Sequence, residues 1–222
     1  MTDTLVLVHT VSPLVSVFAR LGGEMLPGVQ LLHILDEPIL ERIRLRGAGL
    51  AAEDGERLYE HVAMAQQVGA RAVLVTCSTI SPCVDDVRPR AAIPVLKIDE
   101  AMIERAVALG ARIGVVATAP TTLEPTRKLL LAQAARVGKP IETELVLVEN
   151  AMAALMAGDG AAHDRLVNTA ALDLARRVDV VILAQASMAR ALDALPEAER
   201  PVPILASPQL ALEWVKGIMR QT

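Results

Sequence analysis

AVLVTCSTISP, residues 72–82, carries three branched or leucine side chains straight into a cysteine, two hydroxyl residues and, after Ser81, a proline. Such a run, bounded by a turn, reads as a fully buried strand that ends in a thiol. The stretch alone leaves two readings of Cys77 open. It is either a small core residue, since free cysteine packs well in interiors, or a nucleophile or base at the carboxyl end of a strand. A second stretch, VDVVILAQASMAR at 178–190, has the same form as ARAVLVTCSTISP at 70–82. Two further pairs follow in the same order. TLVLVHTVSPL (4–14) pairs with ARIGVVATAPTTL (111–123), and AIPVLKIDEAMIERAV (92–107) pairs with VPILASPQLALEWV (202–215).

Outward from these pairs, short apolar runs at 4–10, 29–35, 71–77, 93–98, 111–118, 142–148, 178–185 and 202–206 alternate with amphipathic stretches such as 53–68, 122–137 and 162–177. This alternation predicts βαβ units and parallel sheets. The expected architecture is α/β, with two similar flavodoxin-like lobes of parallel sheet flanked by helices. The lobes are expected to be related by a pseudo-two-fold, with a cleft between them. The first would span 1–100, with a C-terminal helix at 208–220 packing back on it, and the second 101–207. Ligands of open parallel sheets sit beyond the carboxyl ends of the strands. That places the loops 9–13, 77–82, 117–123 and 184–189 at the expected site.

Composition removes several function classes. The 222 residues include one Phe, one Tyr and one Trp, and the formal net charge is −4. A chain with no basic stripe and no aromatic platform is not built for nucleic acid. No apolar run reaches bilayer-spanning length, and the opening Met1-Thr2-Asp3-Thr4 lacks the basic start of a signal peptide. Neither a membrane nor a secreted location is expected, and a cytoplasmic one is. Cys77 and Cys83 are then reduced thiols, and their spacing, without histidine or further cysteine nearby, makes no zinc site. No ligand set at metal spacing and no glycine-rich dinucleotide loop is present, so neither a metal nor a dinucleotide is expected.

The site loops are small and rich in hydroxyls. Ser81-Pro82 reads as an N-cap with proline at the first helical position. A helix starting there would favour an anion and the thiolate form of a nearby cysteine. Thr121-x-x-Glu124 reads as a capping box. His9, at the end of the first strand, is a candidate helper that would tune Cys77, weighed against an ordinary interior histidine. His33, with Asp36 and Glu37, reads as a strand end leading into a helix with acidic residues in its first turn. Cys83 reads as packing, with a reactive thiol as the alternative.

The paired layout, TCST at 76–79, ATAPTT at 117–122 and VILAQASMA at 181–189 resemble the aspartate/glutamate/hydantoin racemase superfamily over nearly the whole chain. The resemblance implies a cofactor-independent enzyme, a homodimer, acting at the carbon next to a carboxylate. Two cysteines, one per lobe, would flank that carbon. It assigns Cys77 as the first-lobe cysteine and Ser78 and Thr79 as its carboxylate-binding neighbours. It also places Thr118, Thr121 and Thr122 in the second-lobe threonine loop, and Ser12 in the loop after the first strand. The second lobe departs from the pattern. Where hydantoin racemases carry Gly-Cys-Ala-Gly-Met, this chain has Ala184-Gln185-Ala186-Ser187-Met188. A glutamine amide has donors and an acceptor but no proton to transfer near neutral pH. Gln185, Ala186 and Ser187 are thus expected to bind substrate, leaving Cys77 as the one thiol. One-face exchange or isomerisation, decarboxylation as in arylmalonate decarboxylases, addition to a double bond as in maleate isomerases, and a small-carboxylate-binding protein without catalysis all remain open at this point.

Overall fold

The computed structural model describes residues 3–47 and 49–220; Met1 and Thr2, read above for a leader, lie outside them. The chain divides into two compact units, Met1–Glu100 with Pro208–Thr222, and Ala101–Ser207.

Unit 1 holds four strands, β1 (Thr4–His9), β2 (Gln30–Leu35), β3 (Ala72–Val75) and β4 (Val95–Lys97). They pair in parallel in the order β2-β1-β3-β4. The connections carry α1 (Pro13–Met25), α2 (Glu37–Arg46), α3 (Ala52–Gln67) and the short α4 (Cys83–Val87). Each of the eight apolar runs contains a strand, and the trimming is at the ends. The run at 71–77, for instance, keeps its ladder only to Val75, where register with Val8 stops. Central strands β1 and β3 are buried at every position, which is why they read as unbroken apolar runs. Edge strand β2 is only half-buried and admits Gln30 and His33.

After α5 (Glu100–Leu109), unit 2 repeats the plan. Its strands β5 (Arg112–Ala117), β6 (Glu142–Leu147), β7 (Val180–Leu183) and β8 (Ile204–Ala206) run parallel in the order β6-β5-β7-β8. Its helices are α6 (Pro120–Arg136), α7 (Ala151–Met156), α8 (Gly160–Leu174) and α9 (Ala189–Asp193), and α10 (Ser207–Met219) closes the chain. The three sequence pairs fall on β1/β5, β3/β7 and β4/β8, so the internal repeat is a repeat of sheet order. The α/β class with two parallel sheets flanked by helices is as the sequence predicts.

Two helix starts differ from expectation. The helix after Cys77 begins at Cys83, with Pro82 already helical as its N-cap and no side-chain cap. Residues 78–82 turn continuously from Cys77 onward, so the chain enters α4 already coiled and Ser81 has no extended N-cap conformation to adopt. In α6 the helix begins at Pro120 after Ala119, which places Thr121 inside the first turn with no capping bond. Proline at the first helical position, its φ preset, starts the helix two residues earlier than the capping-box reading allows.

Among the described residues no helix is long and apolar enough to cross a membrane.

Candidate active site

In unit 1, Cys77 stands two residues beyond the end of β3, half-buried against the apolar cluster that contains Val75, Ile80 and Cys83. Its carbonyl accepts the Ser81 N–H at 3.0 Å, which closes the turn that presents the thiol. Ser78 is half-buried and Thr79 exposed. Ser12 is exposed in the loop between β1 and α1. Its backbone N–H donates to Glu37 Oε1 at 3.2 Å, tying this loop to the start of α2.

Cys83 is buried, and its thiol is pushed up to about 11, first by burial and then by the carboxylates of Asp54 and Asp86. The alternative of a reactive Cys83 thiol is thereby corrected: desolvation and two negative neighbours both oppose the thiolate.

His9 is fully buried, and both ring nitrogens are engaged. Nδ1 lies 2.8 Å from Thr76 Oγ1 and Nε2 lies 2.9 Å from His33 Nδ1. The two imidazoles stack at 5.2 Å, with Phe18 tilted against His9 at 5.7 Å. The Thr76 hydroxyl also reaches Val8 O at 3.0 Å. If it donates there, His9 Nδ1–H donates to Thr76 and His33 Nδ1–H donates to His9. Burial, then the neighbouring His33, lowers His9 to about 4 and keeps it neutral, and burial lowers His33 as well. His9 therefore grips the residue preceding Cys77. No bond from it to the thiol exists among the described residues. His33 lies within β2, with the strand end and the helix start following it as expected. Asp36 caps α2 by accepting the Ile39 N–H, and also holds His61 at 2.6 Å and Arg57 at 2.8 Å.

In unit 2, Gln185 follows β7 and Thr118 follows β5. Gln185 Oε1 accepts both the Thr118 N–H, at 2.6 Å, and the Thr118 hydroxyl, at 2.9 Å. A backbone N–H can only donate, so the amide orientation is fixed. Both donors of Thr118 are spent on Gln185, and its hydroxyl is left only to accept. Gln185 conversely leaves its amide hydrogens outside this clamp. Ala186 and Ser187 are half-buried in the 3₁₀ turn Ala186–Met188. Thr121 is exposed, and Thr122 is half-buried with its carbonyl accepting the Thr126 hydroxyl at 2.8 Å. Replacing Gln185 by leucine leaves two donors of the nearly buried Thr118 unmet. We expect it to lower unfolding stability by about 1–3 kcal/mol in urea melts, with Gln185→Glu close to native.

Sequence reasoning missed Thr76 and Asp99. Asp99 follows β4 at a strand's carboxyl end, the same position rule that singled out Cys77. Among the described residues no cluster of three or more potential metal ligands occurs.

Comparison with known proteins finds the same fold. Among curated sequences none matches this chain significantly. An allantoin racemase from Klebsiella pneumoniae superposes with a TM-score of 0.75 at 19% identity, over 99% of this chain and 88% of that one. Glutamate racemase isoform RacE1 from Bacillus anthracis gives 0.73 at 17% identity, over 99% and 82%. An aspartate racemase from Picrophilus torridus gives 0.73 at 13% identity, over 98% and 94%. At these identities the likeness is one of fold. The sequence profile of the Asp/Glu/Hydantoin racemase family matches residues 15–215, nine-tenths of the chain, and the protein belongs to that family.

Proposed function

We propose that the protein is a cofactor-independent isomerase of this family, acting on the carbon next to the carboxylate of a small amino acid or dicarboxylate. Cys77 is its acid/base or nucleophile. The observation that carries this reading is a half-buried thiol in a hydroxyl-rich turn at the carboxyl end of β3, in a racemase-family chain. Removing a proton beside a carboxylate creates an enediolate, which needs aimed donors. Ser78 and Thr79 next to the thiol suit that task, as does the exposed Ser12 hydroxyl.

With Gln185 at the position of the family's second cysteine, proton transfer belongs to one thiol. The chemistry is then one-faced: exchange or isomerisation at one side of the carbon, or protonation of an enediolate left by decarboxylation, or addition of the thiolate to an activated double bond. Gln185 favours the one-faced readings over symmetric two-thiol racemisation. It is equally compatible with a carboxylate-binding protein that has lost catalysis.

Thiol labelling with iodoacetamide, read by peptide mass spectrometry, separates these readings. We expect Cys77 to be labelled within minutes at pH 7.5, Cys83 to remain unlabelled, and small carboxylates to slow Cys77 labelling. A Cys77 as inert as Cys83 would contradict the enzyme reading and favour the binding protein.

A further inference from the structure

Asp99 is 3% exposed and Ser81 is fully buried, and neither the Asp99 carboxyl oxygens nor Ser81 Oγ makes a hydrogen bond of acceptable geometry. Buried polar groups are rarely left so, because each unmet group costs stability. The two nevertheless lie side by side, close enough for the Ser81 hydroxyl to favour the ionised carboxyl. They sit beyond the ends of the neighbouring strands β4 and β3. Cations nearby are already committed. Lys97 Nζ holds Asp85 at 2.7 Å, and Arg88 holds Glu100 at 2.8 Å while its Nε binds Val95 O. The titratable groups that act on this carboxyl are Lys97, which favours its ionised form, and Glu100, which opposes it.

Ser81 is the link to the thiol. Its N–H closes the Cys77 turn, and its carbonyl accepts the Val84 N–H at 3.0 Å. The Ser81 backbone thus ties the Cys77 turn to the start of α4. Resting on the catalytic reading of Cys77, we propose that Asp99 is a positioning residue for that thiol, acting through Ser81 on the turn that presents it. A protonated Asp99 donates to Ser81 Oγ, whereas an ionised Asp99 takes the Ser81 hydroxyl proton as its hydrogen bond. The two states set the Ser81 side chain, and so the turn, differently. Burial, the largest influence on this carboxyl, raises it to about 6, where both states are populated near neutral pH.

The test is the rate of Cys77 alkylation by iodoacetamide between pH 5 and 8, in the full chain and in Asp99→Asn, Ser81→Ala and the double variant. In the native protein we expect the logarithm of the rate to bend near pH 6. Asp99→Asn should lose the bend and differ several-fold from native in rate at pH 8, because an amide holds the Ser81 side chain in one arrangement across the range. In the Ser81→Ala background the same substitution should change the rate much less, the coupling having been cut. An Asp99→Asn profile that superposes on native overturns the proposal, and so does an undiminished effect in the Ser81→Ala background. A Cys77 that is slow in every variant overturns the catalytic reading instead, and the ratios between variants still decide the role of Asp99. Should Asp99→Asn fail to fold, carbon-13 titration of the native protein gives the same answer. The Cys77 Cβ resonance should inflect together with the Asp99 carboxyl, and a Cys77 resonance blind to that titration overturns the proposal.

Discussion

Replacing Cys77 by alanine should lower turnover by about a thousandfold, the scale on which a positioned acid/base group contributes. No second thiol is positioned to compensate. Cys83 is buried and its thiol is held protonated to about 11, so Cys83→Ala should leave turnover within about twofold of native. Gln185 has no transferable proton, and its carbonyl oxygen is engaged by Thr118. His9 and His33 spend their facing nitrogens on each other and on Thr76. Circular dichroism on both cysteine variants, beside steady-state assays, separates this loss from unfolding. Cys77 only packs against the edge of its apolar cluster, so its removal should cost little stability.

The second large effect is on stability against pH, where two buried groups oppose each other. His9 is a base held at about 4 against an ordinary 6.5. As pH falls through 6.5 the unfolded chain takes up a proton that the folded chain refuses until about 4. The stability contributed by the neutral histidine is whole above 6.5. It drains by on the order of 3 kcal/mol across that window. His33, also lowered, acts in the same direction. Asp99 is an acid held at about 6 against 3.8. Its contribution is whole below 3.8 and is lost as pH rises through 6, again by on the order of 3 kcal/mol.

The windows nearly coincide and the signs are opposite. Native stability should therefore fall only gently from pH 6.5 to 4, the remaining slope being that of His33. Urea melts across that range should unmask the two slopes. Asp99→Asn is expected to be more stable than native at pH 7.5 and to lose stability steeply on acidification. His9→Gln is expected to gain stability as pH falls. Below pH 4 all forms should weaken as Asp54 protonates. Its carboxylate is held at about 2, chiefly by the Arg46 hydrogen bond. A native profile as steep as that of Asp99→Asn would show that Asp99 has no raised value to contribute.

Much of this was legible in the sequence because burial on both faces writes itself as an unbroken apolar run. TLVLVH, AVLV, RIGVVA and VVIL are the four central strands, and they announce the two sheets without help from side-chain chemistry. Cys77 was legible for the same reason, as the polar atom that ends such a run. Helix starts were less so, since a serine or threonine before a helical run carries the same letters whether or not its φ and ψ suit a cap. Ser81 and Thr121 show this. Long-range polar pairing was hidden altogether. The Thr118–Gln185 clamp joins residues 67 positions apart, and Thr76–His9 likewise, so no local pattern records either. Asp99 sits in KIDEA, where an acid before a helix looks like surface charge until its burial is known.

The central claim is tested most directly by proton NMR in D2O. The native protein and Cys77→Ala are each incubated with chiral amino acids, 2-substituted malonates and maleate, followed by chiral analysis of the products. The one-thiol account predicts turnover by the native protein alone, as α-deuterium exchange with retention, decarboxylation, or isomerisation of the double bond. Exchange that persists in Cys77→Ala would contradict it, and so would inversion as fast as exchange, which requires a proton donor on the second face.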